Sequence, residues 1–272
     1  MIYSNLLLAG VALACASATL STSAGAQGDW IARLTDADVA LLGEIHDNPQ
    51  HHVRQAEAIA SLAPAAVVFE MLTPEQAETL LAGLPGRAED AAELLEWNAS
   101  GWPDYTMYHP VFVAANDAAI YGAALPRDQV RAAVSGDITA IFGDGAIAFG
   151  LHQPLEPSEQ KAREAMQMSA HCDALPADML PGMVAAQRLR DAHFSRVTLQ
   201  ALDETGGPVV VITGNGHARK DWGMPVYLAA AAPEVAVRTL GQFEDAPAAD
   251  APFDVTLVSS AAERPDPCLA FR

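Results

Sequence analysis

The 272-residue chain carries 34 Asp and Glu against 15 Lys and Arg, a formal net charge of −19. That balance argues against a nucleic-acid partner or an anionic membrane surface, both of which are held by basic patches. An anionic small ligand would need a local arginine. With 51% hydrophobic residues, the chain is long enough for one large α/β domain with a substantial core.

In chain order, residues 1–26 hold an apolar run from Leu6 to Cys15 and end in Ala24-Gly25-Ala26, the small-x-small form of a signal-peptidase site. They read as a signal peptide cleaved near Ala26. The mature chain, 27–272, is therefore expected to be periplasmic or otherwise exported. Membrane association would come only through a lipid anchor at Cys15. That anchor is disfavoured, because Ala12-Leu13-Ala14-Cys15 has alanine where a lipobox places leucine. Cleavage leaves Cys172 and Cys268, which could form a disulfide in an oxidising compartment or remain free thiols.

Apolar strand candidates follow at 39–45, 66–71, 119–125, 208–213, 235–240 and 255–259, with helical stretches between the first four. The alternation predicts an α/β fold with a mainly parallel central sheet covered by helices on both faces. Asn48-Pro49 opens one helix, and Thr73-Pro74-Glu75-Gln76 opens another with a capping-box spacing. Between about 143 and 200 a proline-broken helical insertion reads as a lid over the strand ends. Residues 242–252 form an acidic, alanine-rich surface loop.

Two strands end in the same short pattern, Gly43-Glu44-Ile45-His46 and Gly214-Asn215-Gly216-His217. Both histidines should emerge where open α/β sheets place their ligands. Glu44 lies two residues before His46, on the same side of an extended segment. Glu70 closes Val67-Val68-Phe69, where a carboxylate is costly to bury unless it is paired or bound to a cation. His46, His217, Glu44 and Glu70 thus form a candidate set for zinc, manganese or non-haem iron, or the catalytic set of a hydrolase. The alternative is that the glutamates cap the following helices and His46 bonds a nearby loop. Met166, Met168, Met179 and Met183 surround His171 and Cys172. A copper site is disfavoured there, since Met166 and Met168 cannot share one helical face, and a flexible lid wall is expected.

The segments GEIHDNPQHHVRQAEAI, VVFEML, GWPDYTMYHPVF, MVAAQRLRDAHFS and VITGNGHARKDWGMPVYL together resemble the ChaN-type haem-binding domain of the Tiki superfamily. That superfamily also holds erythromycin-esterase-like hydrolases and Tiki-type metalloproteases. The resemblance spans roughly 41–228. Its pattern falls on Gly43, Glu44, His46, His52 and Gln55, on Glu70, on Tyr108 and Pro110, and on Pro126 and Arg127. It continues on Gln187, Arg190 and Asp191, and on Gly214, Asn215 and His217. Where relatives tend to have asparagine before the proline-arginine pair, this chain has Leu125. The resemblance implies an exported haem-binding protein of haem and iron uptake, without turnover. The alternative is a metal-dependent esterase or peptidase built on the paired motifs.

Haem would need an axial ligand, apolar walls and a cation for its propionates. The absence of C-x-x-C-H excludes covalent attachment. Candidate axial groups are Tyr105, Tyr108, His109, His171 and His193, and Arg127 and Arg190 are candidate partners of propionates or of a buried carboxylate. Either arginine could instead pair with Glu44 or Glu70 and leave no room for a metal. Trp97, Trp102 and Tyr105 either wall a porphyrin or pack their loop on the core. Exposed Tyr and His side chains would also allow a homodimer that shares a haem.

Overall fold

The computed structural model describes residues 29–266 and 268–269. The leader expected at 1–26, and with it the disfavoured anchor position Cys15, lies outside the described residues. The chain opens with α1 (Asp29–Ala32), β1 (Val39–Glu44), α2 (Pro49–Leu62), β2 (Ala66–Phe69), α3 (Pro74–Thr79), α4 (Ala88–Leu94), α5 (Tyr105–Ala114) and β3 (Ala119–Gly122). A helical stretch follows, with α6 (Arg127–Ala133), α7 (Ile138–Phe142), α8 (Pro157–Ala170) and α9 (Leu180–Thr205). The chain then returns through β4 (Val209–Gly214), α10 (Asn215–Ala218), α11 (Met224–Ala231), β5 (Val237–Phe243) and β6 (Val255–Val258).

The six strands form one sheet of order β3-β2-β4-β1-β5-β6, and every pairing is parallel. Continuous Val, Leu, Ile and Ala runs make β1, β2 and β4 buried along their whole length, as a sheet covered on both faces requires. Side-chain alternation divides that burial. Ala40, Leu42, Val67, Phe69, Val210 and Ile212 pack with Ile59, Tyr108 and Phe112 beneath α2 and α5. Val39, Leu41, Ala66, Val68, Val209 and Val211 pack with Phe194, Ala201 and Leu228 beneath α9 and α11.

The helix starts read from sequence are present. Asn48 accepts a hydrogen bond from the Gln50 amide ahead of Pro49, and Thr73 and Gln76 form a reciprocal capping box. The insertion is more than a lid. Its long helix α9 supplies one of the two layers over the sheet, and its outer side packs Ala186 and Leu189 against Phe142 and Phe149. A disulfide joins Cys172, just after α8, to Cys268 across 96 residues. No helix among the described residues is long and apolar enough to cross a membrane.

β4 lies between β1 and β2. The chain leaves β1 toward one edge of the sheet and leaves β4 toward the other. Connections that diverge from neighbouring strands open a crevice at their carboxyl ends, and both Gly-x-x-His motifs lie there.

Candidate functional site

The β1–β4 register sets Gly43 against Thr213 and Glu44 against Gly214. The motifs, about 170 residues apart in sequence, are therefore side by side. Their glycines make this contact possible. A Cβ on Gly43 would sit 2.5 Å from the Asn215 side chain and 2.7 Å from the Leu240 carbonyl, and one on Gly214 would sit 2.9 Å from the His46 ring. Glu70 joins the rim through its amide, which donates to the Ile212 carbonyl at 3.1 Å.

The two glutamates follow the alternation onto opposite faces. Glu44 points under α2 and α5. Its Oε1 accepts from His46 Nδ1 and from the Tyr108 hydroxyl, each at 2.8 Å, and its Oε2 accepts from Gln55 Nε2 at 2.7 Å. His52 Nδ1 lies 3.3 Å from the same oxygen. Both His52 nitrogens also face oxygen acceptors, Gln55 Oε1 and the His46 carbonyl, which favours its imidazolium form. Glu70 points under α9. Its Oε1 meets Arg190 Nη2 at 2.6 Å and His217 Nε2 at 3.4 Å, and its Oε2 accepts from Thr213 Oγ1 and the Gly214 amide. His217 Nδ1 in turn reaches Asp191 Oδ1 at 2.6 Å.

Burial pushes the Glu44 carboxyl up, yet hydrogen bonds from His46 and His52 outweigh it and bring the pKa to about 2. Glu70 is likewise opposed by burial and held well below the carboxylate range by His217 and Arg190. Burial lowers His217, but the charges of Glu70 and Asp191 raise it to about 9. Burial raises Asp191 despite the His217 charge, so this pair retains a proton at neutral pH. His46 is lowered by burial and raised more strongly by Glu44 and Glu70.

Above this rim opens a cleft of about 1490 Å³, lined among others by His46, Glu70, Trp102, Leu125, Arg190 and Phe194. That exceeds the roughly 300–1,000 Å³ of ordinary small-molecule sites. His46 is the imidazole among its described lining residues. Its side chain is 40% exposed and its Nδ1 is held by Glu44, while no hydrogen bond among the described residues engages Nε2. The Trp102 indole stands edge-on to the ring, with centroids 4.7 Å apart.

Sequence reasoning brought the two motif histidines and both glutamates to one rim, and the structure places them there. It does not combine them into the expected metal-ligand set. Each carboxylate oxygen is occupied by N–H or O–H donors on its own side of the sheet. Among the described residues, no group of three His, Cys, Asp or Glu side chains is arranged to hold a metal. The glutamates do not cap helices either.

The expected axial ligands are placed elsewhere. Tyr108 is fully buried and donates to Glu44, and Tyr105 is buried beside Trp97 in the core, so neither can reach a ligand or a second copy of the chain. His109 packs on Tyr105 with its Nδ1 buried. His171 Nδ1 bonds the Gln167 carbonyl at the end of α8. His193 accepts from Arg196, and burial takes its pKa down to about 4. None of these five is among the described residues that line the cleft. Arg127 lines it, whereas Arg190, also at its wall, is committed to Glu70. Trp97 packs its loop on the core, with its indole N–H donating to the Pro103 carbonyl, and Trp102 faces the cleft. Asp191 and Gln187 belong to the His217 side, and only their place in a family pattern marked them in the sequence.

A family model described as haem-binding uptake, Tiki superfamily, ChaN matches residues 30–228. Among solved structures, ChaN of Campylobacter jejuni, described with cofacial haem binding, is 22% identical with a TM-score of 0.58. That match covers 79% of this chain and 84% of the other. The type III effector HopBA1 is 11% identical with a TM-score of 0.44, over 78% of this chain and 80% of its own. An erythromycin esterase, EreC, in its open conformation is 14% identical with a TM-score of 0.44, over 77% and 71%. The first likeness concerns the fold. No curated protein matches the chain.

Proposed function

From the fact that this chain belongs to the ChaN haem-binding uptake family of the Tiki superfamily, we propose that it is an exported haem-binding protein of haem and iron uptake. The observation that carries the reading is His46. It is an imidazole at the mouth of a large cleft, oriented by a carboxylate on Nδ1 and left with Nε2 open. Axial histidines in metal sites are commonly braced in this way. Trp102, Leu125, Val130 and Phe194 supply flat or apolar wall, and guanidinium groups stand at the same cleft. The residues present therefore fit haem: His46 would hold the iron and these side chains the macrocycle. Leu125, where relatives tend to have asparagine, adds to the apolar wall. When bound, the group would supply a carried iron centre.

Export is supported by the leader pattern at 1–26 and by the Cys172–Cys268 disulfide, a bond that persists in oxidising compartments. Haemin titration of the mature chain should give a Soret band whose position shifts in His46→Ala, with affinity at least about tenfold weaker. An unchanged band and affinity in that variant would overturn the assignment of His46.

A second reading, hydrolysis, draws on the same residue, because neutral His46 is placed to take a proton from a cleft water through Nε2. A metal-activated water is not supported, since the carboxylates are already satisfied by protein donors. Ester turnover that resists chelators and is lost in His46→Ala, without haemin binding, would favour this reading.

A further inference from the structure

Four arginines line the cleft, Arg127, Arg131, Arg190 and Arg264. Two are neutralised within the protein. Arg190 is paired with Glu70, and Arg264 bridges Asp47 at 2.6 Å and Glu244 at 2.7 Å. The other two stand one helical turn apart on α6, Arg127 at its first position and Arg131 in its last turn. Arg127 donates to the Ser100 carbonyl and Arg131 Nε to the Arg127 carbonyl at 3.3 Å, so among the described residues each is held by a neutral oxygen. Glu96, the remaining lining carboxylate, leaves two exposed guanidinium groups against one acid. In a chain of net charge −19, this is a local surplus of positive charge inside a large cleft.

The pair is tied to His46 through one short segment. Ser100, which holds Arg127, also accepts from the Trp102 amide at 3.1 Å through its Oγ, and the Trp102 ring meets the His46 ring. Gly101, at φ 85°, lies between them. A Cβ there would come within 3.5 Å of Arg127 Nη2, so the guanidinium rests against bare backbone. Apolar side chains, an imidazole and two guanidinium groups that no carboxylate neutralises among the described residues thus line one cleft. Guanidinium groups bind carboxylates through paired, charge-assisted hydrogen bonds, and like charges four residues apart on a helix repel until an anion joins them.

We infer that Arg127 and Arg131 form a carboxylate subsite that selects tetrapyrroles with free propionate side chains over their esters, and that binds the macrocycle whether or not it holds a metal. This inference rests on the haem reading and adds the ligand class to it.

The test compares metal-free protoporphyrin IX with its dimethyl ester by fluorescence titration of the mature chain. Wild type, the double variant Arg127→Gln/Arg131→Gln and His46→Ala are measured side by side. Wild type should bind the free acid about tenfold more tightly than the ester. The double variant should lose that preference, and its exposed positions leave circular dichroism unchanged. His46→Ala should keep the preference while altering the haemin spectrum. Equal binding of acid and ester by wild type, or a preference that survives in the double variant, overturns the subsite. Failure to bind haemin and both porphyrins overturns the subsite together with the haem reading.

Discussion

Glu44 and Glu70 stand at the ends of β1 and β2, on either side of β4 at one sheet rim, yet they are neutralised in different ways. The Glu44 side holds its charge with imidazoles, a phenol and an amide: His46, His52, Tyr108 and Gln55. The Glu70 side uses a guanidinium and a fully buried imidazole, Arg190 and His217, with Asp191 behind. An imidazole left without its carboxylate can release a proton and become neutral, whereas a guanidinium cannot. The Glu44 side is therefore the adaptable one, and it carries the imidazole that opens to the cleft. The Glu70 side is a fixed ionic lock between sheet and α9.

The largest expected effect is on the lock. Glu70→Gln removes the charge facing Arg190 and His217 and should cost about 3–5 kcal/mol, read as a lowered urea midpoint. Glu44→Gln should cost less, about 1–3 kcal/mol, because its partners are mostly neutral donors or can lose their protons. A Glu44 variant that falls as far as the Glu70 variant would break the comparison.

The smallest effect is a pH dependence with opposite signs on the two sides. His217 has a folded pKa of about 9, above its ordinary 6.5, so the folded state binds the extra proton between those values. Stability should fall as pH rises from 6.5 through 9, with a slope below about 1.4 kcal/mol per pH unit. His217→Asn should flatten that slope. Glu44, at about 2 when folded, contributes stability that is lost as pH falls from 4.5 toward 2, and Glu44→Gln should remove that share. Denaturation midpoints across pH 2–10 test both directions.

The six strands were legible because apolar runs such as Val39–Leu42 and Val209–Ile212 have no other economical use than burial between two layers. Helix starts at Asn48-Pro49 and Thr73-Pro74 were legible because capping is local chemistry. The Gly-x-x-His repeats identified the rim, and the glycines proved to be the residues that let the strand ends close on His46 and Asn215. Arg131 was missed, although its place four residues after Arg127 on a helix led by Pro126 was a usable signal. Tyr108 was misplaced as a cleft ligand, since nothing local distinguishes a tyrosine donating to a buried carboxylate from one facing solvent.

By itself, then, the chain's order of residues determined the strands, the helix caps and the rim motifs, because these depend on neighbours within a few positions. Only the tertiary structure decided that β4 enters between β1 and β2, that Glu44 and Glu70 face opposite ways, and that His46 alone among the expected histidines opens to the cleft. Those outcomes depend on strand register and on which helix covers which face, contacts between residues up to 170 positions apart whose geometry no local pattern encodes.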